Sequence, residues 1–405
     1  MRVVMLGGTG WFGRVAATLL ARERIVTELV LAGRNVLLAH ELAADLGPKA
    51  KVVALDLFDD EALQARLHGA DLLVNTSGPY FHTLLPALTG AIRARVNYVD
   101  FAEDWHAVAG ALSLDGAARE AGVTAVVGMG DAPGLTNLMA VHLAGLLERV
   151  DRVEVGWFCD IEGLLGSAAE NLARLRRTGR ISGCLRAIVH ALSNEIRVLA
   201  EGRPQTLPPG SATRRIALPG IAALEFQPMG SAEPQTLARQ MPSLRAASSW
   251  MCFLPGPVND LIRMQASQVA AGRIGDEAAA IVILTLLAEQ PELWLRRPAD
   301  MPGGAAFTIV EGIARDRRLR RGGIPAWAYR QDIMGRDLGT AAPLTLAALR
   351  LLRAEVGKTG VLPPEACFAP QPFFAELAGR WGMLPGLSLL NEWTEAPAEA
   401  AIEVA

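Results

Sequence analysis

Tyr80, Asp100 and Asp131 stand where α/β proteins do chemistry, each just after a short apolar run. Tyr80 lies in Asn75-Thr76-Ser77-Gly78-Pro79-Tyr80-Phe81-His82. Asp100 ends Tyr98-Val99-Asp100, and Asp131 sits in Gly128-Met129-Gly130-Asp131-Ala132-Pro133-Gly134-Leu135-Thr136-Asn137. A phenol or carboxyl at such a place can hold and pass a proton. Without a hydrolytic triad, these groups suit a reaction in which a bound cofactor carries the reactive atoms and the protein supplies protons, orientation and exclusion of water. Tyr80 reads equally as a core side chain beside a Gly-Pro turn. Glu103 and Asp104, after Asp100, read as charges at a helix start.

The cofactor is suggested by the first thirteen residues, MRVVMLGGTGWFG. Arg2 to Leu6 suits a buried strand, Val15–Leu20 suits a helix, and Gly7, Gly10 and Gly13 punctuate the turn, with Thr9, Trp11 and Phe12 between them. Such a turn brings the backbone close to a dinucleotide pyrophosphate and points helix N–H groups at its charge. The spacing is G-x-x-G-x-x-G rather than G-x-G-x-x-G, so a glycine turn with no ligand stays open on the motif alone. Arg34 follows the next apolar run, where an acidic residue would hold ribose hydroxyls and an arginine accommodates a 2′-phosphate. That points to NADP(H); a solvated arginine is the alternative. Asp56 suits the adenine amino group, although Asp59 and Asp60 beside it read as helix-capping charges. Ser77, Gly78 and Pro79 are small enough for the nicotinamide and its ribose to approach the backbone.

The elements that position these groups follow a repeating plan. Strands are expected at Glu28–Ala32, Lys51–Leu55, Asp71–Asn75, Asn97–Asp100 and Thr124–Val127, and helices at Val36–Leu46, Asp59–Leu67, Phe81–Arg93, Trp105–Ala121 and Leu138–Leu147. Strands separated by helices predict a Rossmann-type, doubly wound parallel sheet. Its ligand lies beyond the carboxyl ends of the strands, where every candidate above falls.

At 405 residues the chain is long enough for two domains. A net charge of −3 suggests neither nucleic acid nor an anionic membrane as partner. Cys159, Cys184, Cys252 and Cys367 form no C-x-x-C pair, which argues against a metal site or a disulfide framework and fits a reducing cytoplasm. No leader is expected at the N-terminus, and the apolar helix near Ala278–Leu287 is too short to cross a bilayer. Arg152–Phe158 reads as a strand, Ser167–Arg177 and Cys184–Leu192 as helices, and Pro204–Pro209 as a turn. The Arg174–Arg180 cluster suits either a substrate carboxylate or a solvated helix face, and Arg315–Arg321 a charged hairpin. Trp250, Met251, Phe253 and Leu254 form an apolar patch suited to a substrate pocket or a subunit interface.

Taken in order, GGTGWFG, Arg34, SGPYFH, YVD and GDAPGLTN resemble the saccharopine dehydrogenase-like family, which includes saccharopine reductases, carboxynorspermidine dehydrogenases and related NADP-binding oxidoreductases. The likeness extends to a strand Phe307–Ile313, a helix from Thr340 to Val356, the run Gly360-Val361-Leu362-Pro363-Pro364-Glu365 and a helix near Phe373–Arg380. The resemblance implies an NADP-binding domain over 1–135, an inserted α+β substrate and dimerisation domain over 136–335, C-terminal helices over 336–391 that return to the first domain, and a frayed tail over 392–405. It further implies a homodimer and hydride transfer from NADPH to an imine on a small amino-acid-like or polyamine-like molecule. Two departures stand out: the family often reads D-P-G where this chain has Asp131-Ala132-Pro133-Gly134, and Ser or Thr where it has Phe101-Ala102-Glu103-Asp104. Reduction of a C=C bond in an apolar substrate, or NADP sensing without turnover, are the competing readings.

Overall fold

The computed structural model describes residues 1–296, 304–325, 333–381 and 390–395. The chain divides into two compact units, one of Met1–Leu138 with Asp337–Gly382, the other of Met139–Arg336 with Met383–Ala405. In chain order the strands are β1 (Arg2–Leu6), β2 (Glu28–Gly33), β3 (Ala50–Ala54), β4 (Leu72–Asn75), β5 (Asn97–Asp100), β6 (Thr124–Val126), β7 (Arg149–Asp160) and β8 (Ile196–Ala200). They continue as β9 (Arg203–Leu207), β10 (Arg214–Leu218), β11 (Ile221–Pro228), β12 (Ala246–Leu254), β13 (Gly304–Ala314), β14 (Arg317–Pro325), β15 (Gly360–Leu362) and β16 (Leu390–Glu395).

The first unit is an all-parallel sheet in the order β15-β6-β5-β4-β1-β2-β3, with a helix at each crossover. Its middle strands are covered on both faces, so they read as unbroken apolar runs; Val3, Val4, Met5, Leu72, Leu73 and Val74 are fully buried. Strand order reverses between β1 and β4, which places the switch point at the glycine turn. The C-terminal segment closes the sheet: Leu362 lies opposite Val126, and the Val127 amide donates to the Leu362 carbonyl at 3.0 Å.

The second unit is a mixed sheet, β10-β11-β12-β7-β13-β14-β16, extended by the β8–β9 hairpin that pairs with β12. Strand alternation splits β12 between two cores. Met251 and Phe253 join Ile188, Val189, Ile262, Ile283 and Leu284 of the helices, while Trp250, Cys252 and Leu254 join Phe158, Phe226, Phe307 and Ile324.

Several expectations change. Trp250, Met251, Phe253 and Leu254 are core rather than a patch, because β12 is an interior strand. The turn expected at Pro204–Pro209 is largely the strand β9; proline is tolerated there because β9 is an edge strand, paired with β8 alone among the described residues. The helix expected over Trp105–Ala121 breaks at Leu114 into Trp105–Ser113 and Asp115–Ala121, since Asp115 turns to accept from the Val361 amide at 3.0 Å. The helix expected to open at Thr340 runs Ile333–Leu352 and stops before Ala354, whose φ of 58° is left-handed. Leu138–Leu147 becomes Leu135–Ala144, so Thr136 and Asn137 are helical.

The tail is the largest correction. Residues 392–395 are not frayed; they belong to β16, which pairs with β14 from Arg320↔Glu395 to Pro325↔Leu390. Its Trp393 indole lies against Gly322, where no side chain would fit. The rest of the expected tail, 396–405, lies outside the described residues.

Candidate active site

The glycine turn is built for close approach. Gly7 has φ +72°, and a methyl there would stand 2.6 Å from the backbone of Thr76 and Ser77. Gly13 opens the helix Trp11–Arg22 against the same wall; a methyl on it would strike the Gly7 carbonyl and come within 2.8 Å of Thr76 Oγ1. The Gly10 amide donates to the Gly7 carbonyl at 2.9 Å, and Gly10, at the N-cap, offers no side chain to cover the first turn. An uncapped helix start over a cradle that any Cβ would fill matches a dinucleotide pyrophosphate. Thr9 and Phe12 are half-buried beside it, and Trp11 is exposed.

Arg34 is exposed immediately after β2. Asp56 is exposed after β3, and its Oδ1 accepts from the Phe58 amide at 3.2 Å. Capping of the helix Asp60–Leu67 falls to Asp59, which accepts from the Ala62 amide at 3.0 Å, so Asp56 is not its cap. At the end of β4 the Ser77 amide donates to Asn75 Oδ1 at 3.0 Å; Gly78 is exposed and Pro79 buried, with a cis bond between them.

The structure brings Tyr80 and Asp100 to neighbouring strand ends and occupies both. The Tyr80 hydroxyl donates to the Asn75 carbonyl at 2.8 Å, and its ring meets Phe101 edge-on at 5.4 Å between centroids. Burial, reinforced by the Asp100 charge, raises its ionisation well above that of a free phenol. Asp100 accepts from the Tyr98 hydroxyl at 2.7 Å and from the amides of Ala102 at 3.0 Å and Gly128 at 2.8 Å. Burial pushes its carboxyl up to about 6 against the pull of those donors. Its geometry is that of a tie between the ends of β5 and β6.

Asp131 differs. It lies after β6 in a loop closed by a Gly130–Gly134 bridge and by the Gly130 amide on the Pro133 carbonyl at 2.8 Å. The residue is half-buried, yet its Oδ1 is shielded from solvent and has no hydrogen-bond partner among the described residues. Burial pushes the carboxyl up to about 7, the range a proton-transfer group needs.

Two site residues escaped the sequence reading of roles. Asn137 accepts from the Gly134 amide at 2.9 Å and donates to Glu365 Oε2 at 3.0 Å, where Glu365 follows β15. Reading the residues after every strand, β15 included, would have singled out Glu365. Within the second unit Arg174 donates to Asn171, Arg176 pairs with Glu289 at 2.8 Å, and Arg315 and Asp316 form the left-handed turn between β13 and β14. Among the described residues no group of His, Cys, Asp and Glu is arranged to hold a metal, and no helix is long and apolar enough to cross a membrane.

Known proteins share this plan. Residues 3–126 match the family model of the saccharopine dehydrogenase NADP binding domain. The chain is 26% identical to carboxyaminopropylagmatine dehydrogenase from Synechocystis sp. over 96% of its own length and 98% of that protein. It is 25% identical to a trans-acting enoyl reductase from Mycobacterium leprae, but over 42% of this chain and 40% of that one. Its fold is that of apo saccharopine dehydrogenase (L-Glu forming) from Saccharomyces cerevisiae, with a TM-score of 0.64 at 16% identity over 98% of this chain and 100% of that chain. The first unit therefore carries an NADP(H)-binding domain similar to that of saccharopine dehydrogenases, and the chain is an oxidoreductase.

Proposed function

We propose that this enzyme reduces an imine, formed from an amine and a carbonyl on a small amino-acid-like or polyamine-like substrate, or runs the reverse oxidation. The observation that carries the reading is the shielded carboxyl of Asp131 at the edge of the sheet where the cofactor binds. The end-to-end likeness to a protein named carboxyaminopropylagmatine dehydrogenase supports a C–N bond over a C=C bond.

NADPH, when bound, supplies the hydride. The turn from Gly7 to Gly13, with Thr9, Trp11 and Phe12, would hold the pyrophosphate, Arg34 the 2′-phosphate and Asp56 the adenine. Ser77, Gly78 and Pro79 would let the nicotinamide ribose approach the backbone. An imine accepts hydride at carbon readily once its nitrogen is protonated, and the amine product keeps that proton. Asp131, ionising near neutrality, holds it at Oδ1 without a competing partner among the described residues. Tyr80 and Asp100 act beside it by fixing the ends of β4, β5 and β6, which shapes the space rather than moving the proton.

The apolar patch that would have favoured an enoyl substrate is interior β12. The four cysteines are free thiols, which supports residence in a reducing cytoplasm. A homodimer completes the reading, checked by light scattering on the purified protein. The decisive assay follows NADPH absorbance with amines and oxo-acids or aldehydes, singly and paired, against enoyl thioesters. Oxidation that requires both amine and carbonyl is expected; oxidation by an enoyl thioester alone would overturn the proposal.

A further inference from the structure

The loop that carries Asp131 is fastened by a residue from the far end of the chain. Glu365 is 5% exposed and lies 228 residues from Asn137, yet Asn137 Nδ2 donates to its Oε2 at 3.0 Å. The other end of the same amide, Oδ1, accepts from the Gly134 amide at 2.9 Å. This orientation is the one that satisfies both neighbours, since an N–H needs an acceptor and a carboxylate offers only acceptors. Gly134, at φ +123°, is the closing residue of the loop, bridged to Gly130. The Leu135 amide donates to the Gly130 carbonyl at 2.9 Å and the Thr136 amide to the Asp131 carbonyl at 3.1 Å. Restraint on Gly134 is thus passed through a closed ring of hydrogen bonds to the backbone of Asp131.

Glu365 is itself well anchored. It follows β15, whose Gly360 amide donates to Val123 at 2.8 Å and whose Val361 amide donates to Asp115 at 3.0 Å. A buried carboxyl is costly unless it is hydrogen-bonded, and a charge-assisted bond is stronger than a neutral one. Placing one here lets an anchored strand end grip the loop.

We infer that Glu365 is a positioning residue that acts through Asn137 to hold the Gly130–Gly134 loop closed and keep the Asp131 carboxyl shielded. The inference rests on the reading of Asp131 as the proton-holding group, and it assigns the returning C-terminal segment a part in setting that group's protonation.

The test uses the full-length chain as Glu365→Gln and Glu365→Ala, with Asn137→Ala as a second break in the relay should Glu365→Ala not fold. Three measurements are made on each: NADPH affinity by fluorescence, hydrogen–deuterium exchange of a peptide spanning Gly134, and the titration of Asp131 by carboxyl 13C NMR, assigned with Asp131→Asn. Glu365→Ala should speed exchange at Gly134 by about tenfold or more and lower the Asp131 midpoint by about one pH unit. NADPH affinity should stay within about threefold, because the glycine turn is untouched. Glu365→Gln keeps an acceptor for Asn137 and should retain both the slow exchange and the midpoint. Unchanged exchange in Glu365→Ala, or equal loss in Glu365→Gln, would overturn the positioning role. A natural protein whose Asp131 titrates as an ordinary carboxylate would instead overturn the reading of Asp131, while the exchange data would still decide whether Glu365 holds the loop.

Discussion

Asp131→Asn should gain stability over the natural chain as the pH rises, while losing turnover. The Asp131 carboxyl ionises at about 7 in the fold, against 3.8 for the free side chain. A proton bound more tightly in the folded than in the unfolded chain adds stability that is complete below about pH 4 and lost as the pH climbs through about 7. From about pH 5 to about pH 8 the loss is at most about 2.6 kcal/mol, at about 1.4 kcal/mol for each pH unit. Asp131 is only half-buried as a residue, and solvent screens part of the effect, so about 1 kcal/mol is expected. For a unit of this size that is about 2–4 °C in melting temperature.

An amide does not titrate, and any misfit of its own is the same at both pH values, so the pH dependence isolates the carboxyl. Thermal melts of both proteins at about pH 5 and about pH 8, at equal ionic strength, make the comparison. The variant should gain about 2–4 °C on the natural chain between the two conditions and should still bind NADPH. A difference that stays flat, or moves the other way, would mean that the carboxyl is solvated and ionises ordinarily.

Arg34→Ala should weaken NADPH by about tenfold or more while changing NADH by less than about twofold, because the lost contact is to a phosphate that NADH lacks; equal losses in fluorescence titration would remove the residue from phosphate recognition. Gly322→Ala should cost about 1–3 kcal/mol, since its methyl would enter the space of the Trp393 indole and push β16 off β14. Denaturant melts read that loss, and an unchanged midpoint would show that β16 is dispensable.

The first unit was largely legible because its physics is local. Short apolar runs within β1, β2, β4 and β5, each followed by glycine, asparagine or a carboxylate, announce buried parallel strands and the edge where ligands bind. The second unit was harder. Its strands are amphipathic, and whether Trp250 faces solvent or core depends on which strands flank β12, a fact set by pairing across a hundred residues. The tail was misread for the same reason, because Glu392 and Glu395 look solvated until His142 and Arg320 are brought to them.

At the site the division runs the same way. The sequence by itself determined the glycine turn, the strand-end position of Arg34 and the presence of Tyr80, Asp100 and Asp131 at the edge of the sheet, because residue type and strand periodicity suffice for that. Only the tertiary structure separated the three proton-bearing candidates. Hydrogen bonds from Tyr98, Ala102 and Gly128 engage Asp100, the Asn75 carbonyl engages Tyr80, and burial without a partner among the described residues leaves Asp131 Oδ1 open. Protonation depends on solvent access and on partners distant in the chain, such as Glu365 acting on Asn137, and neither is written in the local order of residues.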